Sequence, residues 1–489
     1  MAGYNVEAEI LEKLDVPDNE PLTPETLSAA YARISRSPKD IIALRKEARE
    51  DVKKTRKSNQ RIIFTMGHHS VAEHAVFNFD IIGVSRLALE EVEKFRLVSY
   101  TEKSQRYVTL EGDYVLPPEI EDKESGDLFK ETVMLQNAFY IKSFKLLQEL
   151  LFDKYPEKAG KKSEKKLLEG WAKEDARYIL ALAAQGQVGV TLNARNLEHL
   201  ARRFALSRRH EVREMGKKMF RLVEAVAPSL ILFPEPSKFE AALTDPNAFK
   251  KFFLKHSPSV KNSDTGSLKK PVILDYTQNA DDIILASFSA LYNAVDYLQA
   301  YEMVRSMASS EKENIFNELF KYMEFFDAPP REFEFPQITF QAVISASNFA
   351  QLKRHRMATL VSGDYDIALG NVIPGNIKAI GLEAEFKRII DLTNKAYLKL
   401  KERYDDAADY ILTNSHCRMV IMKMNLREVY HFIRLRDDEH SQWDIRSLAH
   451  HLGQKIKEIM PLSGLLLCGK SDYVKEYEKR FHKKPDFSI

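Results

Sequence analysis

The sequence predicts a mixed helix-and-strand fold built twice in one chain, and three observations carry that prediction. The block Glu91-Val-Glu-Lys-Phe-Arg96 is matched by Gln351-Leu-Lys-Arg-His-Arg356, a constant 260 residues later. The blocks Ala176-Arg177-Tyr-Ile-Leu180 and Asn193-Ala-Arg195-Asn-Leu-Glu-His199 are matched by Ala408-Asp409-Tyr-Ile-Leu412 and Asn425-Leu-Arg427-Glu-Val-Tyr-His431, both 232 residues later. Matched blocks in the same order in both halves point to duplication. Third, Phe77, Phe79 and Ile81 alternate with polar residues, and so do Ile338, Phe340 and Ala342, which is the period of a half-buried strand. The second strand lies one residue out of register with the 260 offset, so a one-residue slip is expected between strand and helix.

A helix is predicted after each strand, over 85–96 and 345–356. Longer helical patterns cover 127–151, 202–226, 382–404 and 441–460. The charged stretch 153–166 reads as a solvated loop. Pro234-Glu-Pro236, Pro246, Pro258 and Asn262-Ser-Asp-Thr-Gly-Ser267 mark a connector, with a short amphipathic helix at Phe249–Lys255 in its middle. The expected division is a first domain at 1–235, a linker at 236–274 and a second domain at 275–489. A chain of 489 residues exceeds one ordinary core, which favours two.

Composition removes several classes of function. A net charge of +2 argues against a nucleic-acid footprint, which needs a basic excess. Cys417 and Cys468 are the only cysteines, too few for a disulfide framework or a Cys-rich zinc site, and they fit a reducing cytoplasm. The acidic, polar amino terminus lacks a signal-peptide plan, and the apolar stretch near 283–295 is too short to span a bilayer. Neither a Gly-x-Gly-x-x-Gly after a strand nor a Gly-rich loop ending in Lys-Ser/Thr is present.

Chemistry concentrates in four places. Ser99-Tyr-Thr-Glu102-Lys-Ser104-Gln-Arg106-Tyr107, if extended, aims an acid, a hydroxyl and a guanidinium to one side. That face could cradle a phosphate or sugar; the plainer reading is an exposed edge strand with Glu102 and Arg106 paired. Arg354-His355-Arg356 ends a helix, where cations can meet an electron-rich ring or phosphate or simply favour the helix dipole. Gly67-His68-His-Ser70-Val-Ala-Glu73-His74 lacks the His-Glu-x-x-His metal spacing and reads as a hydrogen-bonded loop or a cofactor contact, with no metal expected. Asn425, Arg427 and His431 share a helical flank; intrahelical ion pairs account for Arg434 and Asp437. The pairs Arg202-Arg203 and Arg208-Arg209 read as a solvated basic face. Each half keeps what the other lacks: Glu102, Ser104, Arg106 and Arg177 face Ser362, Asp364, Asp366 and Asp409, whereas Gln351, His355 and Arg436 face Glu91, Phe95 and Phe204.

Together these blocks resemble the flavin-dependent thymidylate synthases, the ThyX family. The family string Arg-His-Arg followed by Ser-x-Asn-Glu-x-Ser-x-Arg-Tyr is split here between Arg354-His355-Arg356 and the Ser99–Tyr107 segment, with Thr101 in place of the Asn. Ala32-Arg-Ile-Ser35, Gly67-His68-x-Ser70-x-x-Glu73-His74, Asn193-x-Arg195, Asn425-x-Arg427 and Leu435-Arg436 before His440-Ser-Gln-Trp443 match as well. The resemblance implies an α+β fold, two tandem domains each with a small, mostly antiparallel sheet flanked by long helices. It implies methylation of deoxyuridine monophosphate (dUMP) with methylenetetrahydrofolate, FAD and NADPH. Glu102, Ser104, Arg106, Arg177, Gln351 and Arg436 would bind the nucleotide, and Arg436 would stabilise charge on the uracil. Ser35, His68, Ser70, Glu73, Arg96, Arg195, His199, Arg354, His355, Arg356, Asn425, Arg427 and His431 would meet the flavin. A homodimer forming a pseudo-tetramer is implied, with composite sites at half the family's number. Nucleic acid and membrane are not expected partners. The alternative is a divergent relative that binds flavin or nucleotide without synthase activity, as a regulator or scaffold or for other chemistry.

Overall fold

The computed structural model describes residues 23–34, 37–105, 112–244, 253 and 270–487. In chain order, the elements that position the site are β1 (Val76–Ser85), α1 (Arg86–Val92), β2 (Ser99–Glu102), α2 (Lys123–Lys154), α3 (Lys162–Ala176), β3 (Gln185–Asn193), α4 (Ala194–Ala205) and α5 (His210–Glu224). They continue with β4 (Val272–Tyr276), β5 (Gln337–Ser345), α6 (Ala346–Leu352), β6 (Thr359–Tyr365), α7 (Glu383–Tyr404), β7 (Cys417–Asn425), α8 (Leu426–Arg436) and α9 (Trp443–Ile459). The chain forms two compact units. The first is Met1–Val260 with Gly375–Leu412, and the second is Lys261–Pro374 with Thr413–Ile489. Among the described residues no helix is long and apolar enough to cross a membrane.

The first unit holds an antiparallel sheet of order β1-β3-β2. Its apolar face carries Phe77, Phe79, Ile81, Val188, Val190 and Leu192, packed under Leu197, Leu200 and Phe204 of α4 and Val212, Met215 and Met219 of α5. Each such side chain contributes about 1.5–3 kcal/mol on full burial. A helical layer made of α2, α3 and α7 completes the unit. Gln136 on α2 donates to Thr393 Oγ1 on α7 (2.9 Å) and to the Ile411 carbonyl (3.0 Å). The backbone amides of Leu182 and Ala183 donate to the carbonyls of Leu412 and Tyr410.

The second unit repeats the plan. Its sheet order is β4-β5-β7-β6, all antiparallel, so β5-β7-β6 reproduces β1-β3-β2 with β4 added at the edge. Ile338, Phe340 and Ala342 face inward against Leu426, Val429, Phe432 and Ile433 of α8 and Ile445, Leu448 and Leu452 of α9. This is an α+β fold built twice.

The local devices are duplicated too. Ser85 caps α1 by accepting from Ala88 N, and Ser345 caps α6 by accepting from Asn348 N, both at 3.0 Å. Asn193 and Asn425 cap α4 and α8 in the same way. A carboxylate in the first turn of α5 and of α9 accepts from the matching serine: Ser85 Oγ donates to Glu211 (2.6 Å), and Ser345 Oγ donates to Asp444 (2.5 Å). Arg195 pairs with Glu73, and Arg427 with Glu334.

The one-residue slip has a physical cause. The pairing of β3 with β1 runs from Asn193↔Val76 to Gln185↔Ser85, and that of β7 with β5 from Asn425↔Gln337 to Cys417↔Ser345. β1 is one residue longer than β5, and the surplus is a bulge between Ile82 and Val84. Gly83 sits there with φ +72°, a left-handed conformation that costs glycine least.

Three local expectations change. The helix expected over 202–226 is two, α4 and α5, broken where Arg213 Nη1 donates to the carbonyls of Ser207 and Arg208 (both 2.8 Å). The helices expected over 85–96 and 345–356 end at Val92 and Leu352, so Arg354–Arg356 lie in the following turn. The charged stretch 153–166 is largely helical, at Pro156–Ala159 and the start of α3. The helix expected at Phe249–Lys255 lies, but for Phe253, outside the described residues.

Candidate functional site

The polar cluster of the second unit is built on one face of α8. Arg436, in its last turn, donates from Nε to His355 Nε2 (2.9 Å). Its Nη1 donates to Gln351 Oε1 (3.3 Å) and its Nη2 to the Gln351 carbonyl (3.4 Å). Gln351 lies in the last turn of α6 and His355 in the turn beyond it, so the short helix after the strand delivers both acceptors to the guanidinium. His355 is buried at 4% exposure, edge-on to Phe432 and His431 with ring centroids 4.9 and 5.7 Å away. Burial, then the charges of Arg436 and His431, hold its pKa well below the usual histidine value, so the ring is neutral. Its Nδ1 faces Glu428 Oε1 at 3.4 Å. Gln351 Nε2 is buried without a hydrogen-bond partner among the described residues.

Close backbone packing holds the end of α8. A Cβ on Gly469 would lie 1.9 Å from the Asp437 carbonyl oxygen. Gly469→Ala should therefore lower stability by about 1–3 kcal/mol, measured by urea denaturation. Unchanged stability would mean that this contact does not constrain the helix end.

The first unit has the same scaffold with different contents. Where His355 meets Arg436, Phe95 meets Phe204, ring centroids 5.9 Å apart and edge to face. Glu91 stands in the place of Gln351 and pairs with Lys94 (2.7 Å). Arg209 is not solvated as its sequence context suggests. It is buried, 2.6 Å from Asp409 and 3.6 Å from Glu91. Burial pushes the Glu91 carboxyl up, but Lys94 and Arg209, with Arg203, outweigh it and hold it below the ordinary glutamate value. Arg208 pairs with Asp406 and Arg202 with Glu198 and Glu240.

The remaining candidates divide by exposure. Glu102 ends β2 and Ser104 follows it, both half-buried. Arg177 is buried in a 3-10 turn after α3. Arg106 and Ser35 lie outside the described residues. His68, Ser70, Arg96, Arg195, His199, Arg354 and His431 are exposed, and Glu73, Arg356, Asn425 and Arg427 are half-buried. His199 Nδ1 accepts from Arg202 Nη2 (2.9 Å). Asn425 is occupied as the α8 cap, and Arg427 also bonds the Pro329 carbonyl (2.7 Å). Arg434 and Asp437 form no intrahelical pair: Arg434 binds the Asp327 carbonyl and Asp437 meets His450 at 3.1 Å.

Two further groups belong to this picture. Arg418 lies between the rings of Phe349 and Tyr365, 4.4 and 4.2 Å from their centroids, and donates to the Gly363 carbonyl (2.8 Å). It holds the β6 end, where Asp366 caps the next turn by accepting from Ala368 N. Glu428 has no counterpart in the sequence motifs. Only its place on the face of α8 shared with Arg436 could have drawn attention to it.

The sequence profile of the thymidylate synthase complementing protein family matches twice, over residues 19–229 and 272–462. A flavin-dependent thymidylate synthase of Clostridium tetani is 32% identical over 219 residues, 44% of this chain and 83% of its own. The UPF0159 protein Ta1429 of Thermoplasma acidophilum is 23% identical over 477 residues, 90% of this chain and 94% of its own. A solved structure of the UMP/dUMP methylase PolB from Streptomyces cacaoi, bound with 5-Br dUMP, covers 40% of this chain and 92% of its own, with 14% identity and a TM-score of 0.32. Two profile matches spanning most of the sequence, on two sheets that share the three-strand order, establish that this chain belongs to the thymidylate synthase complementing protein family as a tandem duplication.

Proposed function

We propose that this protein is a flavin-dependent thymidylate synthase that methylates dUMP, with methylenetetrahydrofolate as carbon donor and NADPH as reductant of bound FAD. One observation carries the reading. Arg436 is held by Gln351 and His355 in the second repeat, whereas the first has Phe95 against Phe204. A guanidinium held in place by neutral acceptors can stabilise negative charge developing on a pyrimidine ring; an aromatic pair cannot.

The nucleotide site draws on both repeats: Glu102, Ser104, Arg106 and Arg177 from the first, Gln351 and Arg436 from the second. The buried Gln351 Nε2 is a donor suited to a uracil carbonyl, and Arg106 with Ser104 would take the phosphate. The cations Arg354, Arg356 and Arg427 and the His431 ring are exposed or half-buried and fit FAD by the chemistry of their donors, since pyrophosphate and a reduced isoalloxazine are both anionic. Arg96, Arg195, His199, His68, Ser70, Glu73 and Ser35 would extend that surface in the first repeat. When bound, FAD supplies the hydride and carries the one-carbon unit, so no protein nucleophile is required. A homodimer acting as a pseudo-tetramer completes the proposal.

A second reading, binding of flavin or nucleotide without turnover, is favoured by the burial of His355, which leaves that ring little surface to offer a flavin. Purified protein incubated with FAD, NADPH, methylenetetrahydrofolate and dUMP separates the two. Synthase activity gives a yellow protein whose flavin band responds to dUMP and which forms dTMP. A yellow, dUMP-responsive protein that forms no dTMP supports the second reading. A colourless protein that takes up no FAD defeats the synthase reading.

A further inference from the structure

The strongest unassigned feature is the acid at the other end of the His355 ring. The hydrogen bond from Arg436 Nε requires a bare His355 Nε2, so the ring proton resides on Nδ1. That nitrogen faces Glu428 Oε1 at 3.4 Å, without the alignment of a good hydrogen bond. Glu428 and Arg436 lie two turns apart on α8, with Phe432 between them against the imidazole. The ring thus spans one helix face from carboxyl to guanidinium.

We propose that Glu428 is a positioning residue: its carboxyl selects the Nδ1-protonated tautomer of His355, which keeps Nε2 an acceptor and holds the Arg436 guanidinium in place. This rests on the reading of Arg436 as the uracil-facing cation. With the opposite tautomer, an N–H of the ring would meet the N–H of Arg436 and the guanidinium would lose its Nε acceptor. His431, on the next turn of α8, is the other titratable group against the ring, and Arg427 acts on Glu428 from its own helix. The first repeat has Asn196 at the matching sequence position, and its Phe95–Phe204 pair has no tautomer to select.

The test uses full-length, FAD-loaded protein with Glu428→Met, which keeps the volume without an acceptor, and Glu428→Gln, whose amide oxygen keeps an acceptor facing Nδ1. Two quantities are read: the ¹⁵N resonances of His355, assigned by loss in His355→Asn, and kcat and KM for dUMP. Wild type should show an unprotonated Nε2 and a protonated Nδ1. Glu428→Met should give a mixture of tautomers and a kcat reduced roughly 10–100-fold, the size typical of carboxylates that orient functional imidazoles, with KM nearly unchanged. Glu428→Gln should restore both. A wild-type ring protonated at Nε2, or a Glu428→Met ring still wholly protonated at Nδ1, would overturn the proposal. So would a Gln variant as impaired as Met. If wild type forms no dTMP, the reaction reading fails, and the tautomer measurement still decides the role of Glu428.

Discussion

Replacing Arg436 with alanine should slow methyl transfer to dUMP by roughly 10²–10³-fold, the usual effect of removing one preorganised donor from developing negative charge. The fold should survive, because Arg436 is half-exposed at the end of α8. Losing it leaves the buried His355 Nε2 and Gln351 Oε1 without this donor, a cost of about 1–3 kcal/mol. A thermal melt alongside the rate assay separates that cost from the catalytic one. Arg436→Lys should recover little, since an ammonium cannot reproduce three directed contacts from one planar group. Near-normal turnover in either variant would remove Arg436 from the chemistry.

Arg209→Ala should destabilise the first unit by about 3–5 kcal/mol, because it breaks the buried ion pair with Asp409. The double variant Arg209→Met/Asp409→Leu should regain most of that loss, as apolar replacements of buried ion pairs commonly do. The pH dependence has a defined sign. The Glu91 carboxyl is held below its ordinary value in the folded state. Its stabilising contribution is therefore complete above the unfolded value and lost as pH falls through the folded one. Arg209→Ala should flatten that acid-side loss. Urea denaturation across the acid range measures both effects, and a variant as stable as wild type would mean that the cluster contributes nothing to folding.

Much of the architecture could be read from spacing. The two offsets identified the duplication, and the strand slip anticipated an extra residue, though only the register places it at Gly83. The break between α4 and α5 was illegible because neither Pro nor Gly marks 206–209; the side chain of Arg213 satisfies the loop carbonyls instead. The burial of Arg209 was equally hidden, since its acids stand 118 and 200 residues away in sequence. In the site, the contrast of Gln351, His355 and Arg436 with Glu91, Phe95 and Phe204 was legible as a list. The sequence could not say that these residues touch in matched ways, a polar contact in one repeat and an aromatic one in the other. Nor could it place His355 inside, because burial there depends on packing against Phe432.

The central claim is that two diverged repeats divide the residues of one nucleotide site. Calorimetric titration of dUMP into the FAD-loaded protein tests it most directly, comparing wild type with Arg106→Ala and with Asp366→Asn at the matching position of the other repeat. The account expects one dUMP per chain, binding weakened roughly tenfold or more by Arg106→Ala through loss of a charge-assisted contact, and unchanged by Asp366→Asn. Two dUMP per chain, or equal damage from both substitutions, would contradict it.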